Sequence, residues 1–365
     1  MTNRTPEYRS RIELRTESDS SGDIEKTKRL WHELEKRANP SFFLSSSWIE
    51  TLLDSSEFPP NVVVARTNGE VAGLGLLFPN KKKLFGVTWP TLSLTETGDT
   101  DLDAVMIEEN GFLAERSFEL EVTNACLRHI VCDMLEWREL FLGGIGDLTA
   151  DALKALSGPL MMRRKTTISP FVDLGDVDPQ SMRWLSANTR QQIRRALRLY
   201  GRRGEINLVG SRDLREAKER FREMEELHKL RWADKSPFLG SKVRQFHDAL
   251  LTRAFPLQQA DILRVCAGAH LIGMLYIFFY GGEAYVYQNG FEYENDGRLK
   301  PGLVCHLLAM DYCAKNGIKR YRLLAGSNRY KQSLATHISP LHWIRIRRPH
   351  PMFYAEALIR NVVGR

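Results

Sequence analysis

The run between residues 262 and 324 most constrains how this 365-residue chain can fold. Residues 262–267 and 271–280 are rich in the β-branched and aromatic side chains that suit strands. Gly281-Gly282 follows at once and supplies the positive φ of a two-residue hairpin loop, so residues 283–289 fold back as a third strand. A helix then starts at Pro301, where a fixed φ is helpful and a missing N–H costs nothing, and it stops at Gly317. Residues 318–324 form another strand. A meander that passes through one helix into a further strand builds an α/β (α+β) fold on a mixed sheet.

The rest of the chain carries the same element types. Ile24, Thr27, Leu30, Trp31 and Leu34 recur at helical spacing. Residues 45–53 read as a capped helix. Residues 61–66 and 70–78 flank Asn68-Gly69, the strongest short hairpin signal. Residues 84–89 and 137–142 are strand candidates, with helices expected at 118–135 and 149–156. In the second half, helices are expected at 188–200, 211–232, 240–255, 301–316 and 328–335, and a last strand at 342–347. Element order thus repeats between the halves. The expected division is a flexible tail at 1–22, one domain at 23–168 and a second at 169–365. Gly158-Pro159, Ser169-Pro170 and Asp178-Pro179 punctuate the join.

Several classes are excluded. The longest apolar run, 271–280, is far short of the ~20 residues of a spanning helix. The first two dozen residues are polar and contain no signal-peptide core. Five cysteines, an odd number without a CxxC, fit reduced, buried thiols and a cytoplasmic setting. His337, His342 and His350 lack zinc-ligand spacing, so no metal is expected.

The net charge of +7 is concentrated in one place. Residues 181–203 hold seven arginines and no Asp, Glu or Lys. Removing these seven from the 52 basic residues leaves 45, equal to the 45 acidic ones. Arg190, Arg194 and Arg198 lie four apart on one helical face, opposite Ile193, Ala196, Leu197 and Tyr200. Such a row is either a solvated or acid-paired face (Glu216, Glu219, Glu223) or a docking surface for phosphates, acidic sugars or anionic lipid heads. Duplex nucleic acid fits less well, because no base-reading motif accompanies it.

Three further features can carry chemistry. The apolar stripe Leu214, Ala217, Phe221 and Met224 turns polar at His228 and Arg231, just before Trp232. Histidine there can serve as a base and arginine can fork an anion, or both can be satisfied structural residues. The start of the 301–316 helix presents free N–H groups, with Gly302 allowing close approach and Arg298 and Lys300 adding charge. No P-loop or Rossmann fingerprint is present. Finally, Gly326 turns the chain into Tyr330-Lys331, and a tyrosine there can protonate a leaving thiolate.

The segments 185–190 (LSANTR), Ile193-Arg194-Arg195, Leu227-His228 with Arg231-Trp232, Lys300-Pro301-Gly302-Leu303, and Gly326 with Tyr330-Lys331 together resemble the GNAT acyltransferase superfamily. Within it, residues 184–334 are similar to the CelD-type, cellulose-biosynthesis-associated acetyltransferases. The paired architecture is more distantly similar to Fem-type peptidyltransferases.

The resemblance implies tandem GNAT-like domains, the second a GNAT acyl-CoA N-acyltransferase fold. It implies acetyl-CoA or another acyl-CoA as co-substrate, held by Gln288, Asn289, Gly290, Arg298, Lys300, Pro301, Gly302 and Leu303. The CoA arm would lie between the 283–289 strand and a parallel 318–324 strand. Tyr330 would be the acid and His228 the base, with Glu283 or a water as substitutes. Arg190, Arg194, Arg231, Trp232 and Lys331 would bind the acceptor. One departure is Lys300, where a small or aromatic residue is expected before the proline.

The expected activity is N- or O-acyl transfer, most simply acetyl, to an anionic cell-envelope or polysaccharide precursor. Two alternatives stand beside it. One is a Fem-type transferase using aminoacyl-tRNA, although 212–232 is too short for a helical-hairpin arm. The other is a non-catalytic binding or regulatory protein that keeps the fold.

Overall fold

The computed structural model describes residues 13–84, 86–156, 159–232 and 236–354. The first half runs β1 (Arg15–Asp19), α1 (Ile24–Glu35), α2 (Ser46–Ser55), β2 (Asn61–Thr67), β3 (Glu70–Leu84), β4 (Val87–Leu94), β5 (Leu113–Ala114), α3 (Glu119–Arg128), β6 (Glu139–Ile145), α4 (Asp147–Ala152) and β7 (Met161–Asp173). The second runs α5 (Ala187–Gly201), β8 (Ile206–Val209), α6 (Leu214–Trp232), α7 (Ser241–Ala254), β9 (Ala260–Ala267), β10 (His270–Tyr280), β11 (Glu283–Phe291), α8 (Pro301–Lys315), β12 (Arg320–Arg322), α9 (Arg329–Leu334) and β13 (His337–Arg347).

One mixed sheet runs through both halves in the order β1-β2-β3-β4-β6-β13-β7-β12-β11-β10-β9-β8, with β5 paired to β3. Each half contributes one parallel pair, β4 with β6 and β11 with β12. The centre is built by exchange. β7 follows β6 in the chain but pairs with β12 and β13, and β13 follows β12 but pairs with β6 and β7. The expected division at 168/169 falls inside β7.

Two sequence expectations change. The punctuated join around 157–178 contains the 13-residue strand β7. Its run MMRRKTTISPFVD shows no alternation that would announce a strand, and it is held instead by pairing on both edges. Within the segment read as a tail, β1 pairs with β2 over five residues, and residues 1–12 lie outside those described. β1 is a polar edge strand, so it carries no apolar signal.

Local chemistry explains the helices nearest the site. The Ser186 side chain caps α5 through the Thr189 N–H, and Ile193, Ala196 and Tyr200 bury one face. α8 starts on Pro301 and lies against the sheet through Val304, Cys305, Leu307, Ala309, Met310 and Cys313. The largest apolar core draws on both halves. At its centre Phe42 stacks on Phe278, with ring centroids 4.1 Å apart.

Candidate active site

The site begins where two strands part. β11 and β12 pair in parallel over only three positions, from Glu283↔Arg320 to Tyr285↔Arg322. Beyond them β11 carries an extra residue, Tyr287, between the pairs Ile277↔Val286 and Tyr276↔Gln288. A bulge of this kind bends its strand. The segments 286–291 and 323–325 then face one another across a cavity of about 510 Å³. The ladder between the two strands ends here, so an extended ligand has room to lie between their edges.

The cavity joins a second cleft of about 690 Å³ through four shared lining residues, Phe291, Tyr293, Arg329 and Tyr330. Lys300, Pro301, Gly302 and Leu303 line this outer cleft, together with Ser186, Asn188 and Thr189 from the start of α5. No side chain caps α8. Its first N–H groups and the positive end of its dipole are therefore available to an anion. Gly302 leaves room for the Phe291 ring, which a Cβ would meet at 3.1 Å.

The inner cavity gathers residues from all three expected roles. His228 and Tyr330 (catalytic), Arg231 and Lys331 (acceptor-binding) and Gln288, Asn289 and Gly290 (CoA-binding) all line it. His228 Nε2 lies 2.8 Å from the Asn289 carbonyl, which can only accept, so Nε2 carries the proton. Nδ1 is then a bare lone pair, without a partner among the described residues. Burial holds the His228 pKa below its ordinary value, against the pull of the Asn289 carbonyl, so the ring is neutral.

Burial pushes the Tyr330 phenol up, opposed by a hydrogen bond with the Asn289 side chain. Tyr330 is thus a protonated donor at neutral pH. The Lys331 ammonium donates to the Ala325 carbonyl at 2.8 Å, and burial lowers its pKa. The Arg231 guanidinium sits 4.0 Å above the Tyr293 ring. Gly290 has a packing reason as well, since a Cβ there would meet Met224 at 2.9 Å.

The residue that sequence reasoning missed comes from the other half. Glu108, in the loop between β4 and β5, lines the same cavity and accepts the Ala325 N–H at 2.6 Å. Burial drives its pKa up to about 7, despite that hydrogen bond and the nearby Lys331. The neighbouring Glu109 pairs with Arg322 on β12. Met106, Glu109 and Leu324, all at or beside this cavity, hold left-handed φ of 49°, 51° and 60°. Such strain in non-glycine residues concentrates at functional sites.

The corresponding opening in the first half is closed. β4 and β6 also pair over three positions before parting. There the Asn110 side-chain amide bridges them, donating to the Leu94 carbonyl at 2.8 Å and the Gly143 carbonyl at 3.0 Å. The loop that plugs this opening is the one that carries Glu108 across to the second half.

Other expected site residues stand apart. Arg190 and Arg194 line a separate groove along α5 with Leu197 and Arg198. The α6 acids do not neutralise them. Glu216 pairs with Arg212 and Arg220, and Glu223 with Arg264. Arg298 is held by Asp296 at 2.7 Å and lines neither part of the cleft. Glu283 is engaged by Arg320 and Arg322 outside the cavity. The Trp232 side chain lies outside the described residues. Among the described residues, no helix is long and apolar enough to cross a membrane.

Comparison with known proteins agrees with this geometry. Residues 187–332 match the family described as the acetyltransferase (GNAT) domain. The structure is similar to the crystal structure of FemX, with a TM-score of 0.56 and 13% identity over 90% of this chain and 96% of that one. It is likewise similar to L-PGS from Bacillus licheniformis, with a TM-score of 0.55 and 12% identity over 94% and 98%. The chain matches none of the curated proteins with which it was compared. At these identities the structural likeness concerns the fold. The protein has a mixed α/β fold on one large mixed sheet, and its second half matches the acetyltransferase (GNAT) domain over residues 187–332.

Proposed function

We propose that the protein is an acyl-CoA-dependent N- or O-acyltransferase whose acceptor is an anionic cell-envelope or polysaccharide precursor. The parting of β11 and β12 beside an uncapped α8 carries this reading, because two adjoining cavities then offer strand edges to an amide-containing arm and a helix N-terminus to its phosphates. Gly302 and Leu303 would hold the pyrophosphate, and Gln288 to Gly290 the arm. A bound acyl thioester supplies the electrophilic carbonyl carbon.

The chain's own groups then move protons. Glu108, poised near neutrality, takes the proton of the attacking amine or hydroxyl. His228 Nδ1 accepts a second hydrogen bond from the acceptor and orients it. The new C–N or C–O bond forms as the C–S bond breaks, and Tyr330 gives its proton to the departing thiolate. Solvent returns the proton from Glu108 to Tyr330. Arg231 and Lys331 lend the inner cavity the positive charge that an anionic acceptor needs. The direct test is thermal stabilisation by CoA and acetyl-CoA, and a folded protein stabilised by neither counts against the reading.

A Fem-type, aminoacyl-tRNA-dependent activity is the second reading. The α5 arginines favour it, since Arg194, Arg198 and Arg202 have no ion pair among the described residues. tRNA binding with a steep salt dependence, lost on removing these arginines, would support it.

A further inference from the structure

His306, on α8, lines the inner cavity and is 1% exposed. Its Nδ1 lies 2.9 Å from the Tyr321 hydroxyl, and that hydroxyl has no other hydrogen-bond partner among the described residues. Tyr321 is fully buried, so its proton has one place to go. If the hydroxyl donates to Nδ1, a single buried donor, Nε2–H, is left over. If the ring donates instead, both the phenolic proton and the Nε2 lone pair are stranded. The first arrangement leaves fewer unmet groups, so His306 carries its proton on Nε2. That atom has no partner among the described residues.

The ring is held in place. It stacks on Tyr330 with centroids 5.6 Å apart and meets Phe291 edge-on at 6.0 Å. Both aromatics belong to the narrowing between the outer cleft and the inner cavity. His306 lines only the inner side, with Glu108 and His228. Burial, reinforced by Lys331, drives its pKa down to about 3, so the ring is a neutral donor at any working pH. An unmet buried N–H is a free-energy cost that a ligand acceptor would recover.

We propose that His306 Nε2–H is a hydrogen-bond donor to a carbonyl oxygen of the bound acyl donor. The proposal rests on the acyl-CoA reading. Two carbonyls share this chemistry, that of the thioester and those of the pantetheine amides. On the thioester the bond would strengthen as negative charge gathers on oxygen and so would raise the rate.

The test compares wild type, His306→Phe and His306→Gln by calorimetric titration with acetyl-CoA, CoA and 3′-phospho-ADP, which lacks the arm. Phenylalanine keeps the ring stack, and glutamine restores an N–H. About a tenfold loss confined to acetyl-CoA in His306→Phe assigns the thioester carbonyl. An equal loss for acetyl-CoA and CoA assigns an arm amide. In both cases 3′-phospho-ADP affinity stays constant and glutamine recovers part of the loss. No loss for any probe, or an equal loss for all three, overturns the inference. Nitrogen-15 spectra showing the His306 proton on Nδ1 also overturn it. Wild type that binds none of the probes fails at the acyl-CoA reading itself, separately from His306.

Discussion

Glu108 and Ala325 join the two halves at the reacting end of the cavity: a carboxylate from the first half accepts a backbone N–H three residues past the second half's β12, at 2.6 Å. The second half's cavity is therefore incomplete alone. Glu108→Gln keeps an acceptor for Ala325 and removes the base. Turnover should fall by roughly 10²–10⁴-fold, with little change in fold by circular dichroism. In wild type, kcat/KM should rise about tenfold per pH unit below about 7 and level off above it, as Glu108 loses its proton.

The same carboxyl should leave a mark on stability. Its pKa is raised in the folded state to about 7 from an ordinary 4.5, chiefly by burial. The unfolded chain releases this proton near 4.5 and the folded chain holds it until near 7. Between these values the folded state binds more protons, so stability falls as pH rises. The loss is on the order of 3 kcal/mol by pH 8. Urea titrations at pH 5 and pH 8 should show a smaller drop for Glu108→Gln than for wild type. Equal drops would mean that Glu108 contributes nothing to the pH dependence, which Glu96 and Glu109, also raised by burial, share.

The sequence reading reached the second half better than the first, for physical reasons. Pro301, Gly317 and Gly281-Gly282 are local signals, and α8 and the β10–β11 hairpin lie where they indicate. His228, Tyr330 and Lys331 stood out because each interrupts an apolar pattern or follows a turn, and the fold brings all three to one cavity. Glu108 carries no such mark. Its role depends on a contact between residues 217 positions apart, and its sequence neighbours Glu109, Asn110 and Gly111 read as an ordinary polar turn. β7 was hidden likewise, because pairing partners far along the chain hold it rather than its own alternation.

Asn110 should limit the protein to one donor site. Its amide occupies the gap between β4 and β6 that the second half leaves open between β11 and β12. Titration with CoA should give one molecule per chain. Asn110→Ala would leave two buried carbonyls without donors, at about 1–3 kcal/mol each. It should lower the urea midpoint and also lower turnover, since the loop that positions Glu108 loses its anchor. A stoichiometry of two in wild type would show that the plug does not exclude the ligand.

Phe42 and Phe278 make the halves one folding unit. The rings stack at 4.1 Å inside a core that draws on α1, α2, α6 and α7 together with strands of both halves. Neither half can bury these faces alone, so unfolding should be a single transition by fluorescence and circular dichroism alike. Phe42→Ala should cost about 3–5 kcal/mol and still leave one transition, shifted to lower denaturant. Two separable transitions in wild type would mean that the halves are independently stable and that the shared core contributes little. That outcome would also weaken the case for Glu108, because its placement depends on the halves holding a fixed relation.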